Sequence, residues 1–262
     1  MTHPEETPMP RQAAAPRRPR RRHPRAGVAL VAGLSVVVLV VVGFVVMAQI
    51  TYPAERDPVQ QVAADSAVHT SWSYGDVVMT PTGDSTGTGL VFLAGAKVDP
   101  LAYADKLSGL VEAGTTVVIV RPVLNFAIFE FRPFSAFTAL APDVTDWFVG
   151  GHSLGGVKAC QYASDDAVSG LILFGSYCAG DIADLGKPVL SISASNDGLS
   201  TPAKIEASKA DLPADTEFVV IEGANHAQFG DYGMQPGDGT STVSDTTVKD
   251  ELTAALVRFI RN

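Results

Sequence analysis

Residues 148–159 read FVGGHSLGGVKA, with Ser153 set between Gly151 and Gly155 in a G-x-S-x-G pattern. In a chain with 24 glycines such a pattern can arise by chance, and taken alone it fits an ordinary serine in a turn. Its surroundings carry more. Residues 147–149 read as a buried strand and the residues from Leu154 onward as a helix, so the serine stands at a sharp turn between the two. A serine at such an apex takes a strained backbone conformation. Glycines two residues to either side let the neighbouring chain approach without Cβ clashes.

Outward from this turn, apolar runs alternate with helix-length segments. The runs are 74–79, 89–93, 116–120, 147–149, 170–174, 189–193 and 217–221, several of them nearly continuous in Val, Ile, Leu and Phe. Continuous runs suit parallel strands covered on both faces. Helices are expected over 101–113, 126–140, 154–163, 202–210 and 245–260. The alternation predicts an α/β fold with a mostly parallel central sheet and helices on both faces, and no internal repeat is present. In such sheets ligands gather beyond the carboxyl ends of the strands, where the turn at Ser153 lies.

A serine hydroxyl is a poor nucleophile at neutral pH; it needs a base within hydrogen-bond reach and an acid that orients the base. The folded region offers three histidines. His69 falls in a segment read as a stalk, and His152 adjoins the serine on a turn expected to point the two side chains apart. His226, in IEGANHAQFG just after the last expected strand, is the candidate base. For the acid, SNDG ends an apolar run and puts Asp197 on the same sheet edge, although Asp-Gly is also an ordinary turn signal. Asp181 and Asp184 follow the preceding strand, but several residues into a loop, so Asp197 is preferred.

With Ser153, Asp197 and His226 in that chain order, the sequence resembles the α/β-hydrolase superfamily. The segments VFLAGAKVDPLAYA, VVIVRPVLNFAIFE, GGHSLGG, SNDGLSTPAKIEAS and IEGANHAQFGDYG resemble its compact fold-5 group, over roughly residues 89–260. The resemblance implies a serine hydrolase cleaving a carboxylic ester or similar acyl bond through an acyl-enzyme, without an organic cofactor. An acyltransferase using the same triad, or a non-catalytic envelope binding module, are the alternatives. Many members carry His-Gly after the first parallel strand where this chain has Ala94-Gly95-Ala96-Lys97. The oxyanion hole is then expected to use the backbone N–H of Ala96, or of Lys97, together with that of Leu154. Only residues 175–188 separate two successive strands where larger relatives insert a cap, so no large cap domain is expected.

Phe126, Phe129, Phe131, Phe134 and Phe137 fall at near-helical spacings that fit core packing, or else an apolar wall facing an acyl chain or lipid. The acidic loop 230–239 holds Asp231 and Asp238 but reads as plain surface, and no metal is assigned.

The N-terminal quarter has another character. Residues 1–26 carry Arg11, Arg17, Arg18, Arg20, Arg21, Arg22 and Arg25 with several prolines and almost nothing to pack, which predicts a disordered cytoplasmic arm. Residues 27–48 hold no charge, and 22 residues at about 1.5 Å each span about 33 Å, enough for a transmembrane helix over 27–50. Arginines before it, and only Glu55, Arg56 and Asp57 soon after, predict a single-pass protein of the cell membrane with its N-terminus cytoplasmic and its domain extracytoplasmic. Val46-Met47-Ala48 also suits signal cleavage, but the apolar stretch and its leader are long for a cleaved signal. Residues 51–70 read as a stalk, and the hydrolase-like domain as 71–262.

From residue 51 onward there are 12 Lys and Arg against 26 Asp and Glu, a net charge of −14, which argues against nucleic acid as a partner. The expected partners are a small-molecule or lipid-like acyl substrate and, through the N-terminal helix, the membrane. Cys160 and Cys178 form either one bridge or two buried thiols; spacing alone leaves both open.

Overall fold

A computed structural model describes residues 24–262. Of the described residues, 24–44 belong to one unit and Val45–Asn262 to a second. Helix α1 (Pro24–Gln49) holds a 22-residue apolar span, Val28–Gln49, long enough to cross a membrane. The arginine-rich arm expected over 1–26 lies outside the described residues as far as residue 23, and residues 24–26 belong to α1.

The second unit is built on one eight-stranded sheet: β1 (Val68–Ser73), β2 (Asp76–Pro81), β3 (Thr88–Leu93), β4 (Thr116–Val120), β5 (Asp146–His152), β6 (Val168–Phe174), β7 (Val189–Ala194) and β8 (Glu217–Ile221). Their spatial order is β1-β2-β4-β3-β5-β6-β7-β8. β1 and β2 run antiparallel to their neighbours, and β3 to β8 are all parallel. The turn at Ser153 therefore leaves a central strand, β5, bonded on both sides by β3 and β6.

Strand periodicity sorts the apolar residues into two cores. Leu90, Phe92, Val117, Ile119, Phe148, Ile172, Phe174, Leu190 and Ile192 face one side and pack with α3 (Ala104–Glu112) and α7 (Asp245–Ile260). Val91, Leu93, Val118, Val120, Val149, Leu171 and Leu173 face the other, beneath α5 (Leu154–Tyr162). On α7 the buried Val248, Leu252, Leu256 and Phe259 repeat every three to four residues, which is why that helix lies along the sheet as the sequence predicts. α6 (Pro202–Ser208) follows β7, opened by Thr201, whose hydroxyl accepts from the Lys204 amide.

Three expectations need correction. The stalk expected over 51–70 is part of the folded unit. Tyr52 bridges to Val98, α2 (Arg56–Ala64) buries Val62 beneath the sheet, and β1 adds an edge strand to β2. A short helix showing one buried residue and a half-exposed edge strand leave too little apolar signal to be seen in the sequence. The helix expected over 126–140 breaks into a 3-10 turn at Ala127–Phe129 and the single turn α4 (Ser135–Thr138). Leu124 and Asn125 enter it with left-handed φ of 54° and 57°, and Pro133 has no N–H to continue a helix across the gap. Phe134 and Phe137 still reach the core, whereas Phe131 is 78% exposed. Folded structure also begins before Trp72, since the unit starts at Val45.

Cys160 on α5 and Cys178 after β6 form a disulfide, their Cα atoms 5.7 Å apart. The bridge closes a loop of 18 residues, for which chain entropy supplies about 3 kcal/mol. Reduction, or the double variant Cys160→Ser/Cys178→Ser, is expected to lower the unfolding free energy by about that amount in urea titrations. Unchanged stability under reductant would show the bridge to be energetically idle.

Candidate active site

Ser153 sits between β5 and α5 with φ 52° and ψ −122°, a conformation that a side chain-bearing residue adopts only when its surroundings enforce it. The enforcement is visible. The Ser153 amide donates to the Phe174 carbonyl at 3.0 Å, and the Ser176 hydroxyl donates to the Ser153 carbonyl at 2.7 Å. A Cβ on Gly151 would stand 2.5 Å from the Gly155 carbonyl carbon, and one on Gly155 would stand 2.1 Å from the Leu93 carbonyl oxygen. The two glycines of the pattern are thus there for close approach, as the sequence reading expects.

Asp197 follows β7 and His226 follows β8, both on the edge where β5 ends. The His226 ring meets Asp197 at 2.7 Å from Nδ1 to Oδ2, with both side chains fully buried. A carboxylate only accepts, so Nδ1 carries a proton towards Asp197, and Nε2 is the ring nitrogen left to exchange one. Nε2 has no hydrogen-bond partner, and no bond joins it to the Ser153 hydroxyl in this structure. The other oxygen of Asp197 accepts from the amides of Leu199 at 2.8 Å and Ser200 at 2.7 Å, which fixes the carboxylate plane. Asp181 and Asp184 are exposed in the loop after β6 and take no part.

Two residues enter that sequence reasoning set aside. His152 is buried with its ring 4.4 Å from that of His226, and the Tyr103 hydroxyl, which accepts from the Gly95 amide, lies 2.9 Å from its Nδ1. Burial, and then the charge of His226, holds the His152 pKa well below the ordinary histidine range, so this ring stays neutral beside its neighbour. Asp238, read as a plain surface acid, clamps the two candidate loops together. Its carboxylate accepts from the amides of Gly198, His226 and Ala227 at 2.8–3.1 Å. Only the fold brings these amides to one point, so no spacing in the sequence betrays the role. Asp231 instead forms a buried ion pair with Lys106 at 2.5 Å. Among the described residues no group of His, Cys, Asp and Glu could hold a metal ion.

Of the two amides proposed after β3, that of Lys97 is taken, donating to the Asn125 carbonyl at 2.7 Å. Those of Ala96 and of Leu154, the first residue of α5, donate to no acceptor among the described residues.

The sequence matches the alpha/beta hydrolase family over residues 89–250, most of the second unit. The chain belongs to the alpha/beta hydrolase family. Comparison with curated proteins finds no match. Among solved structures, this alpha/beta hydrolase is similar to Est1E from Butyrivibrio proteoclasticus with ferulic acid bound, with 12% identity and a TM-score of 0.53 over 75% of this chain and 98% of that one. It is also similar to an alpha-beta serine hydrolase homologue from Coxiella burnetii, with 16% identity and a TM-score of 0.50 over 74% of this chain and 96% of that one. At such identities the likeness is one of fold. The residues 175–188 that follow β6 contain no helix or strand, so no cap domain stands at that point in this member of the family.

The strained turn of this alpha/beta hydrolase yields a test. Replacing Ser153 by glycine removes the penalty of a left-handed φ, so Ser153→Gly is expected to be more stable than the parent by about 1 kcal/mol in urea unfolding. A loss of stability would mean the turn is not strained.

Proposed function

We propose that this alpha/beta hydrolase is a membrane-anchored serine hydrolase that cleaves a carboxylic ester or similar acyl bond on the extracytoplasmic side. One observation carries the reading. His226, held by Asp197 at 2.7 Å, leaves a buried Nε2 with no partner, on the sheet edge where Ser153 ends β5.

In the proposed reaction Nε2 takes the proton of Ser153 as Oγ attacks the carbonyl carbon, and Asp197 supports the imidazolium that forms. The amides of Ala96 and Leu154 receive the oxyanion. Collapse of the tetrahedral adduct expels the alcohol, which takes the proton from His226 and leaves the acyl group on Ser153. Water then gives a proton to Nε2 as it attacks the acyl ester, and collapse of this second adduct releases the acid while Nε2 returns the proton to Ser153 Oγ. No organic cofactor or metal enters this scheme. The neutral His152 ring and the Asp238 clamp are proposed to hold His226 for these transfers.

The proposed placement rests on other features. The Cys160–Cys178 bridge suits an oxidising compartment. Ala48 is buried and its carbonyl accepts from the Asn125 side chain at 3.0 Å, which favours a retained helix over cleavage after Ala48. The arginines before α1 favour a cytoplasmic N-terminus.

Labelling of the full chain by a fluorophosphonate probe is expected to vanish in Ser153→Ala, with kcat on any ester substrate falling on the order of a million-fold. Undiminished labelling of Ser153→Ala would refute the assignment.

A further inference from the structure

We propose that the face of the domain around Asn125 is immersed in the boundary of the bilayer that α1 crosses, and that the substrate is an acyl ester drawn from that bilayer. The proposal rests on reading α1 as an anchor and Ser153 as the nucleophile.

The first argument is reach. The apolar span ends at Gln49, and one residue earlier the Ala48 carbonyl accepts from Asn125 Nδ2 at 3.0 Å. A free stalk of some 20 residues could hold a domain tens of ångströms from the lipid. Here a single hydrogen bond separates the end of the span from the loop 122–131.

The second argument is the character of that loop. Val123, Ile128 and Phe131 are exposed, with Phe131 at 78%, and Ile50 and Tyr74 are exposed as well. Val123, Leu124, Phe129 and Phe131 line one shallow, mainly apolar cleft together with Glu130 and Arg132, and Tyr74, Gln49, Val123 and Leu124 share an adjoining one with Arg121 and Arg132. The apolar side chains thus lie on one face with the end of α1, flanked by cations. Exposed apolar residues scattered singly need no explanation, but a contiguous patch marks a surface that meets something apolar. Charge points the same way. The domain carries a net charge of −14 from residue 51 onward, yet the only charged residue over 122–131 is Glu130, which is fully buried and paired with Arg132 at 2.7 Å. A tyrosine at the rim of such a face, as Tyr74 is, suits the headgroup level.

The third argument joins this face to the chemistry. Asn125, which holds Ala48 through its side chain, accepts the Lys97 amide through its carbonyl at 2.7 Å. Tyr52, three residues past the span, donates its amide to the Lys97 carbonyl at 2.6 Å and accepts from the Asp99 amide at 3.0 Å. The loop that presents the Ala96 amide is thus gripped on both sides by the segments that meet the lipid. A substrate arriving through water has no use for an apolar apron there. An ester whose acyl chain lies in the bilayer passes along it.

The experiment uses the full chain reconstituted in phosphatidylcholine vesicles. In a Trp72→Phe background, Phe131→Trp is expected to be quenched when the acyl chains are brominated near the headgroup end, because bromine quenches only at contact. Equal fluorescence in brominated and ordinary lipid would overturn the bilayer face. The second readout is the ratio of turnover of a long-chain fluorogenic ester embedded in the vesicles to that of a short-chain, water-soluble ester. Ile128→Asp/Phe131→Asp is expected to lower that ratio at least ten-fold, and an unchanged ratio would overturn the substrate class. If the parent protein turns over neither ester and takes no fluorophosphonate, the hydrolase reading and the substrate class fall together, while the quenching result still decides the bilayer face by itself.

Discussion

The turn at Ser153 is a conformation the backbone does not choose for itself. A serine at φ 52° costs about 1–3 kcal/mol, and it persists because β5 is anchored in the middle of the sheet and cannot yield. Six parallel strands hold the position of the strand end; Gly151 and Gly155 allow α5 to start against the Leu93 carbonyl; Ser176 and Phe174 bond the serine backbone in place. The rest of the candidate site is then a matter of which loops reach that edge. β7 delivers Asp197 and β8 delivers His226, adjacent strands whose loops are tied by the Asp238 carboxylate. The pair is buried, which strengthens its hydrogen bond, and His152 at its side is kept neutral first by its own burial.

Much of this is legible in the sequence, for identifiable reasons. β3 to β7 are buried on both faces, so they read as unbroken apolar runs; the edge strand β8 is apolar in sequence although Phe218 and Val220 are exposed, and the alternation with α3, α5, α6 and α7 follows directly. Ser153, Asp197 and His226 could be named because each closes a strand, and strand ends are what the parallel pattern locates best. What escaped lies where a single buried residue or a long-range contact decides the outcome. α2 shows its buried Val62 and little else, and β1 is half-exposed, so both resembled a stalk. The phenylalanines of 126–140 have near-helical spacing, but left-handed residues at Leu124 and Asn125 and the ion pairs of Arg132 with Asp76 and Glu130 spread the segment across the sheet end instead. His152 was set aside on local geometry, whereas its place is fixed by Tyr103 and by the ring of His226. Cys160 and Cys178 meet only because α5 and the loop after β6 are neighbours in space.

On the proposed reading of α1 as an anchor, the segment that follows it changes what anchoring does. A helix followed by a free stalk would be a tether, and the catalytic body would be indifferent to what lies beneath it. Here the end of the helix is hydrogen-bonded into the domain at Asn125, and the residues after it bond the loop beside Ala96. The last turn of α1, from Val45, and the candidate oxyanion loop thus belong to one folded unit. On the proposed reading, the fold turns the apolar face around Val123, Ile128 and Phe131, flanked by Arg121 and Arg132, to the side that the anchor brings to the lipid.

The central claim is that Ser153, Asp197 and His226 act as one unit with the amides of Ala96 and Leu154. A crystal structure of the protein after reaction with a phosphonate ester tests it most directly. The account predicts a covalent bond from phosphorus to Ser153 Oγ, the phosphoryl oxygen within about 3 Å of both amides, and His226 Nε2 within hydrogen-bond reach of Oγ. Phosphorus on another residue, or on Ser153 with its oxygen turned away from both amides, would contradict it.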